Sequence, residues 1–182
     1  MGLLNIFPTQ IYTDFIPESL ADKIEEIITS RISSLEYHKE VYTDFHLSNP
    51  IVNKTEISPF LAYLKLIADK YTQESGIKQT KFGNYWIQDY KTSNHHGAHR
   101  HPNCSISGTY YVRANENAGE LIFHTPNPYS SMTTYIHSEE NAFSIKPQKG
   151  LVVLFPSWLA HEIIPSNHPD CIRTSFSFNL GI

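Results

Sequence analysis

Histidine is where chemistry concentrates in this sequence: there are 10 in 182 residues, and His95, His96, His99 and His101 fall within one short stretch. Side chains two apart on an extended segment project from the same face, and neutral imidazole is a good ligand for transition metals. His99 and His101 have that spacing, and Gly97 and Pro102 bracket them as residues of a strand end would. Two ligands alone hold a metal poorly. The candidate third is His161, which follows the apolar run Leu151 to Phe155 and the turn Pro156-Ser157-Trp158. Histidines that merely serve a core or a surface also occur at such spacings. His38, His46, His124, His137 and His168 read that way, and His95 and His96 fall between the two cases. Cys104 reads as a small buried side chain rather than a ligand.

The last β-like run points the same way. From Ile172 to Leu180 the residues Ile172, Phe176, Phe178 and Leu180 share one face, while Arg173, Ser175, Ser177 and Asn179 share the other. An arginine on an inward polar face needs an anion. Its planar fork suits a carboxylate, and Ser175 offers a hydroxyl to the same group, so the pair could grip one end of a small dicarboxylate. A salt bridge with one of the 18 acidic side chains is the alternative.

These residues need elements to position them. Ser19 can cap a helix carrying Leu20, Ile24, Ile27 and Ile28, and a second helix starts at Ser58-Pro59 and carries Phe60, Leu64, Ile67, Ala68 and Tyr71 on one side. After Gly76 the pattern turns to β-rich runs: Phe82 to Tyr90, Ser105 to Arg113, Glu120 to His124, Leu151 to Phe155 and Ile172 to Leu180. The polar stretch Thr125 to Asn141 reads as a long loop that could act as a lid. The expectation is one domain over 1–182. It has a helical part at 1–76 and a β core at 77–182, with the helices covering the greasy face of one sheet and the polar face turned between two sheets.

Composition narrows the function. With 40% hydrophobic and 18% charged residues, the chain is neither disordered nor fibrous. A formal charge of -4 without a basic run disfavours nucleic acid. No apolar stretch approaches a membrane span, the start lacks a secretory signal, and two cysteines, Cys104 and Cys171, suit a reducing compartment, so a cytoplasmic location is expected.

Taken in order, H-x-H-P at His99 to Pro102, GTYYV at Gly108 to Val112, G-x-L at Gly119 to Leu121, GLVVLFPSWLAH ending at His161 and R-T-S at Arg173 form a recognisable set. The sequence from about Asn84 to Asn179, with a similar phrase at Phe7-Pro8-Thr9, resembles the iron(II)- and 2-oxoglutarate-dependent oxygenases, in particular a small branch found in phages and marine bacteria. The resemblance implies a mainly β fold, a double-stranded β-helix (jelly roll, cupin-like) with two N-terminal α-helices on the outside of one sheet. It implies Fe(II) held by His99, His101 and His161, which would be the catalytic centre. It implies 2-oxoglutarate as co-substrate, held by Arg173, Ser175 and Tyr90, and a dioxygenase hydroxylating an unidentified small molecule or protein side chain. A virus-encoded member would act in the host cytoplasm. Gln88 stands where some relatives carry asparagine, and Asn179 where a nucleic-acid-repairing branch keeps a second arginine.

The resemblance departs at His101, where most such enzymes carry a carboxylate. A dication, a dianionic keto acid and three neutral imidazoles sum to zero charge, which should weaken the metal's hold relative to a site with an aspartate. Glu120 is a reserve carboxylate that no motif places. Imidazole must be neutral to bind, so metal affinity should fall as pH drops through about 6.5. Trp86, Tyr110 and Tyr111 are candidate walls against water. Two rivals share the sequence pattern: a three-histidine metalloenzyme that does not use 2-oxoglutarate, and a non-enzymatic jelly roll with structural histidines.

Overall fold

The computed structural model describes residue 2 and residues 8–78, 80–127 and 142–181. The expected lid therefore lies outside the described residues from position 128 onward, as do Phe7 and His137. In chain order the elements are β1 (Tyr12–Phe15), α1 (Glu18–Thr29), a 3-10 turn (Ile32–Ser34), β2 (Glu36–His38), β3 (Val41–Thr43), α2 (Ser58–Ser75), β4 (Lys81–Tyr90), β5 (His96–His99), β6 (Ile106–Ala114), β7 (Leu121–His124), β8 (Ala142–Ile145), β9 (Leu151–Pro156), β10 (His161–Ile163) and β11 (Arg173–Gly181).

Helix α1 begins one residue ahead of the expected cap. Pro17 is extended, and its carbonyl accepts the amides of Leu20 and Ala21 at 2.9 Å, so Ser19 sits inside the first turn and caps nothing. Helix α2 starts at Ser58 with Pro59 in the turn that tolerates it, and stops at Gly76, whose φ of 72° is the left-handed conformation that ends helices. The region 1–76, expected to be helical, also supplies β1, β2 and β3. Among the described residues no helix is long and apolar enough to cross a membrane.

The described strands form two antiparallel sheets, ordered β1-β9-β6-β11-β4-β3-β2 and β5-β10-β7-β8. Alternation along the central strands creates two apolar clusters. Phe176, Phe178 and Leu180 of β11, Tyr110 and Val112 of β6, and Val152 and Leu154 of β9 pack in one cluster with Ile24 and Ile28 of α1 and Phe60, Leu64, Ile67 and Tyr71 of α2. The intervening residues Tyr90, Tyr111, Val153 and Phe155 join Leu121 and Phe123 of β7 and Ile163 of β10 in the other. This alternation places Tyr110 among the helix-side residues, with its ring 4.8 Å from that of Phe60, while its neighbour Tyr111 faces the second sheet. Tyr110 is thus not a wall of the site. Ile172 precedes β11 and is partly exposed, at 43%. Thr174, which starts the helix-side set, is buried instead, bonded to Asp89 and Arg113.

The glycines of the recognised motifs mark close approaches. A Cβ on Gly108 would lie 2.5 Å from the Phe178 ring, and one on Gly119 would lie 2.0 Å from the Ile164 carbonyl oxygen, part of the backbone that pairs with Glu120. Gly119→Ala must therefore push the β7 entrance away from the segment after β10. It is expected to cost about 1–3 kcal/mol, as overpacking does; a urea midpoint equal to wild type would contradict this.

Candidate metal centre

Cross-strand register assembles the site. His161 of β10 stands directly opposite His99 of β5, and the backbone N–H of His101 donates to the Ser157 carbonyl at 3.0 Å, tying the segment after β5 to the turn that leads into β10. As a result His99, His101 and His161 each offer one nitrogen, and these atoms lie within 4.8 Å of one another. Among the described residues no carboxylate or thiolate joins them, Glu120 and Cys104 included. Cys104 is half-buried rather than buried, and its thiol donates to the His101 carbonyl at 3.3 Å.

Hydrogen bonds fix which nitrogens converge. Nδ1–H of His99 donates to the Gly97 carbonyl at 2.8 Å, and Nδ1–H of His161 donates to the Leu159 carbonyl at 2.9 Å. His101 uses Nδ1 toward Asn179 Oδ1 at 2.6 Å. With all three Nδ1 atoms engaged with acceptors, the Nε2 atoms carry the lone pairs, and those of His99 and His101 face each other at 3.1 Å. Two lone pairs at that distance repel; a cation between them turns repulsion into ligation.

His96, left undecided by the sequence, belongs to the site. Its ring stacks on His99 at 4.0 Å and its Nδ1 meets Gln88 Nε2 at 3.2 Å. His95 instead pairs with Glu40 at 3.0 Å on the surface. His46 reaches Glu36 at 3.2 Å and stacks on His38, and His124 reaches Glu162 at 3.1 Å; none of these meets the cluster. His168 likewise stays apart, with its Nδ1 accepting the Asp170 backbone N–H.

Strand β11 supplies the other half. Arg173, opposite Tyr90 of β4, is 1% exposed, with its guanidinium carbon 4.3 Å from the centre of the Tyr90 ring and 5.4 Å from that of Tyr111. Its Nε and Nη1 have no hydrogen-bond partner among the described residues, so the salt-bridge alternative fails for those two donors. Ser175, Ser177, Tyr90, Gln88 and Thr109 line the same small space, about 30 Å³, as the three histidines and Arg173. That space adjoins a cleft of about 580 Å³ that shares Trp86, Gln88, His96, His99 and His101 and is walled by the β2–β3 hairpin, Phe45 and Arg100. Of the expected wall aromatics, Trp86 lines both spaces and Tyr111 lies against the Arg173 guanidinium.

An unpaired buried guanidinium is costly unless a ligand brings its counter-ion, and three bare imidazole nitrogens suit a divalent metal. The residues present therefore fit both an iron ion and a dianionic keto acid. Comparison with known proteins adds the family. Residues 84–179, more than half of the chain, match the family model described as "Putative 2OG-Fe(II) oxygenase".

The chain belongs to this family.

Fe(II) and 2-oxoglutarate are the cofactors of 2OG-Fe(II) oxygenases, and the three-histidine cluster fits iron. Solved structures agree on the fold. A prolyl-4-hydroxylase from Pseudomonas putida shares 14% identity at a TM-score of 0.69, covering 96% of this chain and 94% of that one. The collagen prolyl hydroxylase of Paramecium bursaria Chlorella virus-1, solved with 2OG, shares 12% at 0.60, covering 94% and 96%. EctD from S. alaskensis, solved with 2-oxoglutarate and 5-hydroxyectoine, shares 11% at 0.65, covering 95% and 72%. No curated protein is similar enough in sequence to match.

Burial moves the titration of the site. It pushes His161 down to about 3, with the neighbouring His99 adding to the effect, and His96 down to about 4; it also lowers His99 and His101. The expected loss of metal near pH 6.5 is therefore displaced downward, because the folded imidazoles stay neutral below that value. Stability carries the opposite cost. An unfolded histidine takes up its proton near 6.5, so the unfolded chain binds more protons than the folded one between there and about 3, and stability falls as pH falls through that window. The metal-free protein should show a urea midpoint that declines from pH 7 to pH 5, with a shallower decline for His161→Gln; equal pH slopes would contradict burial as the cause.

Proposed function

We propose that this chain is an Fe(II)- and 2-oxoglutarate-dependent dioxygenase that hydroxylates a small molecule or a protein side chain. On this reading the sheets close as a single-domain double-stranded β-helix with α1 and α2 outside the larger sheet, a view supported by the two apolar clusters and by the likeness to the solved oxygenases. The observation that carries the reading is the buried Arg173 guanidinium, with Nε and Nη1 unpartnered, lining the same space as three convergent imidazoles.

The roles of the residues follow from their chemistry. Nε2 of His99, His101 and His161 would hold Fe(II). Arg173, with Ser175 and the Tyr90 hydroxyl, would hold the far carboxylate of 2-oxoglutarate. Burial raises the pKa of the Tyr90 hydroxyl, keeping it a proton donor toward that carboxylate. Iron with the keto acid and dioxygen supplies decarboxylation to succinate and transfer of one oxygen atom to a substrate C–H bond. The protein's own part is placement and exclusion of water. Tyr111, Phe155 and Leu121 close the inner side of the site, while the 580 Å³ cleft leads from His99 and His101 outward and would receive the primary substrate. Two free cysteines agree with a reducing cytoplasm as the place of action.

The test is anaerobic. Apo protein mixed with Fe(II) and 2-oxoglutarate should develop the visible charge-transfer band of a keto acid chelated to iron. Arg173→Gln should keep iron yet lose about 2–5 kcal/mol of 2-oxoglutarate binding, the usual loss when one partner of a buried charge pair is removed. His161→Ala should lose both. Iron bound without a band in the wild type would remove the co-substrate and favour a three-histidine enzyme of another kind. Failure to bind iron at all would favour a non-enzymatic fold.

A further inference from the structure

His101, one of the three convergent imidazoles, is gripped from behind. Asn179 Oδ1, 2.6 Å from His101 Nδ1, also accepts the Ser107 hydroxyl at 2.8 Å, and Asn179 Nδ2 donates to Asn84 Oδ1 at 3.0 Å. Ser107 in turn shares a hydrogen bond of 2.9 Å with Ser157, and both serines are buried. Asn179 pairs with Ser107 across β11 and β6, so the amide is anchored by strand register as well as by side chains. With its nitrogen committed to Asn84, the amide turns only an oxygen toward His101. The imidazole must then carry its proton on Nδ1 and leave Nε2 bare toward His99 and His161.

We propose that Asn179 is the positioning residue that makes His101 a metal ligand. Its oxygen fixes the tautomer and ring plane of a neutral imidazole. The same polar face of β11 thus serves both halves of the centre, Arg173 toward the co-substrate and Asn179 toward the metal. The proposal rests on the reading of His99, His101 and His161 as the metal ligands, and the charge of the partner becomes a handle. A carboxylate at position 179 would accept the same proton, raise the basicity of His101 and return to the site the negative charge that the third imidazole lacks.

The experiment measures Co(II) affinity by competition with a chromophoric chelator, together with the visible spectrum of bound Co(II), and needs neither 2-oxoglutarate nor turnover. Asn179→Ala should weaken Co(II) binding about 10–100-fold, the usual effect of losing a hydrogen-bond partner behind a ligand. Asn179→Asp should bind at least as tightly as wild type. In a His101→Ala background, Asn179→Ala should have no further effect, because the residue acts through that ring. Thermal unfolding of the metal-free variants checks the fold; if Asn179→Ala does not fold, the near-isosteric Asn179→Asp carries the test, and weaker binding by it overturns the proposal. Wild-type affinity in folded Asn179→Ala, or the same loss with and without His101, also overturns it. Absence of Co(II) binding by the wild type would instead bring down the metal centre itself, and the role of Asn179 with it.

Discussion

Three imidazole nitrogens turned toward one another, their other nitrogens spent on fixed acceptors, form an arrangement that a folded chain holds only at a cost. His161 is 4% exposed, burial has driven it far from protonation, and its free nitrogen converges with two more lone pairs. Nothing in the described protein relieves that convergence. The remainder of the structure is arranged to impose it: the β5–β10 pairing sets His99 opposite His161, the Ser157 carbonyl tethers His101, and a carbonyl or amide oxygen behind each ring forbids the alternative tautomer.

The same economy explains Arg173. Opposite the imidazoles the chain buries a cation between two tyrosine rings and supplies no anion for two of its nitrogens. A fold meant only to be stable would have placed a carboxylate or an apolar side chain there. The two unsatisfied features complement one another, since a metal would answer the first and a dicarboxylate the second, as the proposed function requires of a 2-oxo acid. Membership of the 2OG-Fe(II) oxygenases gives that pairing its chemical sense.

Much of this was legible in the residues because strong periodicity survives into structure. Along β11 the alternation of Phe176, Phe178 and Leu180 with Arg173, Ser175, Ser177 and Asn179 reads directly as two faces, and the apolar stripe of α2 does the same. Among the short strands, β7 was legible as the run ending at His124, but β2, β3 and β10, of three residues each, are too short for a period to show and exist by virtue of the neighbours they pair with. For the same reason adjacency could not tell His95 from His96. Only the direction of β5 turns one toward Gln88 and leaves the other to Glu40. Asn179 was visible as a polar residue on the inward face, six after Arg173, yet its partner came from a segment far away in sequence, and nothing local announces such a contact.

Anomalous scattering from crystals grown with Co(II) would locate the metal. One strong peak is expected about 2.1 Å from Nε2 of each of His99, His101 and His161, with no carboxylate in the coordination shell except from added ligand. A peak bound by fewer than these three rings, or one displaced to another cluster, would contradict a three-imidazole centre.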